Sequence, residues 1–174
     1  MICQKHINIL DFLFYKIGKQ ACDFSLQIQK KDGMFSKRKK YTDIGFEKNM
    51  WWLEKVNARS ILTNEIVLDL DKGKNQTTQE FIAEIVKSFK KYNLNYYKYY
   101  IFNSNSGLHI HIFENKLFYM TEQERKAFRL HLIKLFNADP LKCSEKTMIA
   151  LEYAKHWKSG KIKEFLYGNI NEVK

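Results

Sequence analysis

The 174 residues predict an α/β chain of the α+β kind: an RRM-like antiparallel sheet core with flanking helices, behind an N-terminal α/β extension. Two amphipathic segments of helical period, three strand-like runs before and between them, and a closing strand–loop–strand piece carry that prediction. In chain order they read β-α-β-β-α-β over residues 61–174, with residues 1–60 as the extension. At 45% apolar and 15% aromatic, a chain of this length folds as a single domain with a core of its own.

Residues 5–18 place Ile9, Leu10, Leu13 and Ile17 on roughly one stripe, which predicts a helix. Short alternating pieces follow, with a Lys/Arg-rich hairpin around Asp32-Gly33. The stretch "KNMWWLEKVNARS", 48–60, reads as a short helix. "EIVLDLD", 65–71, alternates as a strand does. "TTQEFIAEIVKSFKKYN", 77–93, is an amphipathic helix opened by Thr77 or Thr78, with Phe81, Ile82, Ile85, Val86 and Phe89 as its stripe. "YYKYYIFNS" and "LHIHIFE" are β-rich and joined by the polar turn "NSNSG". "TEQERKAFRLHLIKLF", from Thr121, is a second helix whose Thr121 and Glu124 fit a capping box, with the sole proline, Pro140, just beyond. "TMIALEYAKHWKSGKIKEFLYGN" then reads strand, basic loop, strand.

The charge narrows the partners. Thirty Lys and Arg against 19 Asp and Glu leave a formal +11, which points to a polyanion, nucleic acid before membrane. Cys3, Cys22 and Cys143 form no CxxC pair, so neither a disulfide framework nor structural zinc is expected. No apolar run is long enough to span a bilayer, and the first twenty residues lack a continuous secretory core. A cytoplasmic, intracellular protein is the expectation.

The chemistry starts at the end of the first core strand. In an extended chain Asp69 and Asp71 share a face with Glu65 and Val67, while Ile66, Leu68 and Leu70 share the other. Two adjacent carboxylates repel unless a cation sits between them or water surrounds them. An exposed strand end leading into a turn is the plain alternative. His109 and His111 likewise share one face of their strand, after a Ser/Asn/Gly turn. Asp139 follows a helix, and "HWKSGK" offers His156, Lys158 and Ser159 beside Gly160, a charge and a hydroxyl suited to phosphate.

Taken together, Asp69-x-Asp71, then Gly107 and His109, then Asp139, then His156-x-Lys158-Ser159-Gly160 resemble the catalytic domain of the archaeo-eukaryotic primase superfamily. The resemblance covers about residues 60 to 168, and the "H-x-K-S-G" turn is similar to that of the primase small-subunit branch. It departs in motif II, where Asn103 and Ser104 stand in the region of the family's first Ser and Gly. It also lacks the arginine usual between motif III and the last turn.

The resemblance implies a DNA primase or primase-polymerase, a nucleotidyltransferase acting on a single-stranded DNA template. It implies two Mg²⁺ or Mn²⁺ ions held by Asp69, Asp71 and Asp139. An NTP or dNTP would be bound by Ser106, His109, His156, Lys158 and Ser159. A helicase or accessory primase subunit is an implied partner, and no membrane is. The basic residues Lys37, Arg38, Lys39 and Lys40 would meet template phosphate; Trp51, Trp52 and the tyrosines of "YNLNYYKYYIF" are candidates for stacking on bases, with core packing the favoured expectation for these aromatics. The DxD strand and the His strand should then be neighbours, with these side chains on one face.

Two other readings stand beside it. "HIHIF" is similar to the His-apolar-His motif of HUH-type rolling-circle initiators, which nick DNA through a tyrosine, for which Tyr153 is the candidate. The other is a catalytically inert, nucleic-acid-binding module of the same fold.

Overall fold

A computed structural model describes residues 24–40 and 55–169. The helix expected at 5–18, Cys3, Cys22, Trp51 and Trp52 lie outside the described residues. The α+β class holds: the described residues form two helices and two antiparallel sheets of four strands each. No helix among them is long and apolar enough to cross a membrane. The chain divides into two compact units, one of the described residues through Thr63 with Ser144–Glu164, the other of Asn64–Cys143 with the residues from Phe165.

The first unit is built on β1 (Ser25–Gln27), β2 (Lys39–Lys40), β3 (Ala58–Ser60) and β7 (Met148–Ala150), in the order β2-β1-β3-β7. The expected turn at Asp32-Gly33 closes through Lys30 N–H to Met34 O at 2.8 Å, with Gly33 at φ 85°. The helix expected over 48–60 is corrected at its end, where Ala58-Arg59-Ser60 is a strand paired on both sides. All three residues are buried, and two-sided pairing satisfies their backbone in a way a short surface helix would not. Residues 144–164, which the sequence order groups with the sheet core, belong to this unit instead.

Arg59 explains part of that. Its guanidinium donates through Nε and Nη2 to the two oxygens of Glu152, at 2.8 and 2.9 Å, and Lys163 Nζ donates to Glu152 Oε1 at 3.0 Å. All three are buried. Glu152→Gln would leave two buried cations facing a neutral amide and is expected to cost about 3 kcal/mol, read from urea unfolding.

The second unit runs β4 (Glu65–Asp71), α1 (Thr78–Lys91), β5 (Lys98–Asn103), β6 (Gly107–Phe113), a 3₁₀ turn (Asn115–Tyr119), α2 (Glu122–Leu135), a second 3₁₀ turn (Pro140–Cys143) and β8 (Phe165–Gly168). Both helices begin where the sequence says, in capping boxes Thr77–Glu80 and Thr121–Glu124. One sheet face carries Ile66, Leu68, Leu70, Leu108, Ile110, Ile112, Tyr99 and Ile101. They form one core with Ile85 and Phe89 of α1 and Leu132 and Ile133 of α2. Alternation then assigns the opposite face to Glu65, Asp69, Asp71, His109 and His111.

The strand order is β4-β6-β5-β8. Its first three members follow the split β-α-β arrangement expected of an RRM-like sheet, but β8 adds beside β5 rather than beside β4. Within this sheet β4 is therefore an edge strand, and its outward carbonyls stay out of the strand ladder.

Candidate active site

That edge is where the acidic residues gather. Strand register sets Asp69 opposite His109, Asp71 opposite Gly107 and Val67 opposite His111, so the DxD and His strands are neighbours. His109 Nε2 lies 3.3 Å from Asp69 Oδ1. The open edge accepts a third element: Asp139 N–H donates to the main-chain oxygen of Asp69 at 3.2 Å, which anchors the second 3₁₀ turn beside β4. Asp139 Oδ1 accepts from Leu141 N–H at 3.0 Å and shapes that turn.

Lys142 completes the group. It stands three residues after Asp139, where side chains on a 3₁₀ turn eclipse one another. Its Nζ is 3.6 Å from Asp69 Oδ2 and 3.7 Å from Asp139 Oδ2, so one ammonium faces two carboxylates from different elements. Burial works to raise the pKa of Asp69. The hydrogen bond and charge of His109 and the Lys142 ammonium outweigh it and hold the carboxyl down at about 2. Asp71 is exposed, and its Oδ1 accepts the Ser106 hydroxyl at 2.6 Å.

Gly107 is required here by contact rather than by φ. A Cβ on it would stand 1.9 Å from the Leu70 carbonyl oxygen and 2.9 Å from Asp71 Cα. Ser104 Oγ accepts its N–H at 2.9 Å, closing the turn that delivers Ser106 to Asp71.

The two histidines that share a face have different surroundings. His111 Nδ1 is 2.6 Å from Glu65 Oε1, both fully buried, with the Phe102 ring edge-on at 5.5 Å. This pair ties β4 to β6 on the same face, further along the strands from the acidic group. Tyr153, the candidate nucleophile of the initiator reading, is in the first unit at φ 61°, its N–H donating to Lys163 O.

His156, Lys158 and Ser159 also belong to the first unit. His156 Nδ1 accepts the backbone N–H groups of both Lys158 and Ser159 at 3.2 Å, and Gly160 N–H returns to His156 O with Gly160 at φ 69°. The main-chain N–H groups of Lys158 and Ser159 are thus engaged by the imidazole. The turn presents the Lys158 ammonium, the Ser159 hydroxyl and, in this tautomer, the His156 Nε2–H. Burial and the neighbouring Lys158 charge lower the His156 pKa below 6.5. A depressed histidine pKa means stability present above 6.5 that declines as pH falls below it, because protonating Nδ1 removes both bonds. A histidine NMR titration is expected to place His156 below 6.5, with the Lys158 and Ser159 amide signals shifting in step.

Lys37 and Arg38 are exposed; Lys39 and Lys40 are β2, and Arg38 Nη2 donates to Lys146 O at 3.1 Å. Motif spacing alone does not mark Lys142 or the Glu65–His111 pair. A lysine three residues after an Asp-Pro corner was the available signal for the first, and a carboxylate on the DxD face for the second.

The donor set suits a hard divalent ion, since two carboxylate oxygens already face one positive centre. Among the described residues, though, no three His, Cys, Asp or Glu side chains are gathered as a metal-holding group; Asp71 is turned to Ser106 and Lys142 stands between the other two. No protein-family model matches the chain, and no curated protein or solved structure matches it.

Proposed function

We propose that the chain is a template-directed nucleotidyltransferase of primase or primase-polymerase type, acting on single-stranded DNA. The observation that carries this reading is the meeting of Asp69 and Asp139 around one cation position, on the face shared by Asp71 and His109. A magnesium-like ion characteristically takes one or two protein carboxylates and completes its shell with water and substrate phosphate, so a seat of two or three aspartates on a partly exposed rim suits a metal–nucleotide better than a permanent metal.

Asp69, Asp71 and Asp139 would hold the divalent ions, which when bound supply charge stabilisation at the reacting phosphate. His109, aimed at the same rim, would donate to a phosphate oxygen once Asp69 turns to its ion, and Ser106 would orient Asp71. The Lys158 ammonium and Ser159 hydroxyl enter the reading through their chemistry, as donors suited to a triphosphate. The +11 charge, with Lys37, Arg38, Lys39 and Lys40 among its contributors, supports a polyanionic template.

Labelled NTPs and dNTPs on single-stranded DNA, with and without primer, in Mg²⁺ and in Mn²⁺, test the reading. Product that disappears in Asp69→Ala/Asp71→Ala supports it. No product in any condition removes it as an activity of this chain alone. Nicked DNA carrying a Tyr153 adduct would install the initiator reading in its place. Salt-sensitive DNA binding that survives both substitutions, without chemistry, would leave an inert binding module.

A further inference from the structure

We infer that Lys142 is a resident occupant of the cation position between Asp69 and Asp139, and that a divalent ion has to displace its ammonium to engage both carboxylates. The identity of the ion rests on the nucleotidyl-transfer reading; the displacement rests on the geometry of the second unit. The Lys142 Nζ is 3.6 and 3.7 Å from Asp69 Oδ2 and Asp139 Oδ2. A magnesium-sized ion binds carboxylate oxygen at about 2.0–2.1 Å, so an ion bridging these oxygens takes the space the ammonium fills. The lysine side chain is only 15% exposed, so its exit is a change of rotamer out of the site rather than a slight lengthening of two contacts.

The backbone makes that exit available without unfolding anything. Lys142 N–H donates to Asp139 O at 3.2 Å, which fixes the turn and leaves the four-carbon stem to carry the movement. Before an ion arrives, the ammonium offsets the repulsion between two carboxylates brought from different elements, so the seat is assembled in advance. The consequence is weak affinity for a bare metal, because one cation is exchanged for another. An ion arriving with a triphosphate brings anionic oxygens that accept the released ammonium. Lys142 is therefore a positioning residue that favours metal–nucleotide over metal alone.

The test measures Mn²⁺ alone, without nucleotide, by the loss of the free-ion electron paramagnetic resonance signal on titration with the whole chain. Lys142→Met is expected to bind Mn²⁺ roughly tenfold more tightly or better, the effect of removing one nearby charge from a partly exposed site. Asp139→Asn should bind more weakly than wild type. Unchanged or weaker binding by Lys142→Met, with Asp139→Asn still weakened, overturns the role of the lysine and leaves the carboxylate seat standing. Mn²⁺ affinity indifferent to both Asp139→Asn and Asp69→Asn overturns the seat itself, and the functional reading with it. A second measurement needs no variant. Acylation of Lys142 by an amine-reactive ester, read by mass spectrometry, should rise when Mn²⁺ is added while labelling of surface lysines such as Lys87 stays level. Equal labelling of Lys142 with and without Mn²⁺ overturns the displacement.

Discussion

Asp69→Asn is expected to lower nucleotide incorporation at least a thousandfold, about 4 kcal/mol of transition-state stabilisation, under conditions where wild type makes product. The size follows from position. The Asp69 carboxylate faces His109 and Lys142 at once, so the amide keeps the shape but removes the charge on which both converge. Asp71 is exposed and bound to Ser106, and Asp71→Asn is expected to cost less than Asp69→Asn. Single-turnover incorporation in Mn²⁺ measures the two side by side; equal, small losses would remove Asp69 from the chemistry.

The same change also weakens the fold. A carboxyl held at about 2 rather than 3.8 contributes on the order of 2 kcal/mol at neutral pH, present above 3.8 and lost as pH falls toward 2. Circular dichroism of the variant at the assay temperature separates inactivity from unfolding.

Gly107→Ala is expected to be among the most destabilising single substitutions in the second unit, about 4 kcal/mol or more, lowering Tm by roughly 8–16 °C. A methyl group there meets the Leu70 carbonyl oxygen at 1.9 Å, and that atom is backbone in the partner strand. No rotamer relieves such a collision; β4 and β6 have to separate at the pair Asp71–Gly107, two residues along the strands from Asp69–His109. Incorporation should fall together with stability. Gly160→Ala supplies the contrast. Nothing lies within 4 Å of its added Cβ, and only φ 69° opposes it, so a loss of about 1 kcal/mol is expected. Thermal unfolding of the two variants should rank them in this order.

Local rules were enough for much of this. Thr77 and Thr121 open their helices because a hydroxyl and a glutamate three residues on satisfy end groups that no distant residue is needed to satisfy. Asp69 and Asp71 share a face with Glu65, and His109 with His111, because alternation along a strand is fixed by the chain itself. The reading of 48–60 as helix failed at Ala58–Ser60 for the opposite reason. Pairing partners from residues 26–27 and 148–150 outweighed a weak local preference.

What the sequence by itself determined, then, is the class of the fold, the helix starts, the faces of the strands and the residue types able to bind a cation and a phosphate. Only the tertiary structure decided which of them meet. Seating β8 beside β5 left β4 an edge strand, and an edge carbonyl on Asp69 is what the Asp139 amide needed as a partner. From that one long-range hydrogen bond follow the approach of two distant carboxylates and the lysine between them. No periodicity encodes it, because strand order depends on contacts between segments that lie far apart in the chain.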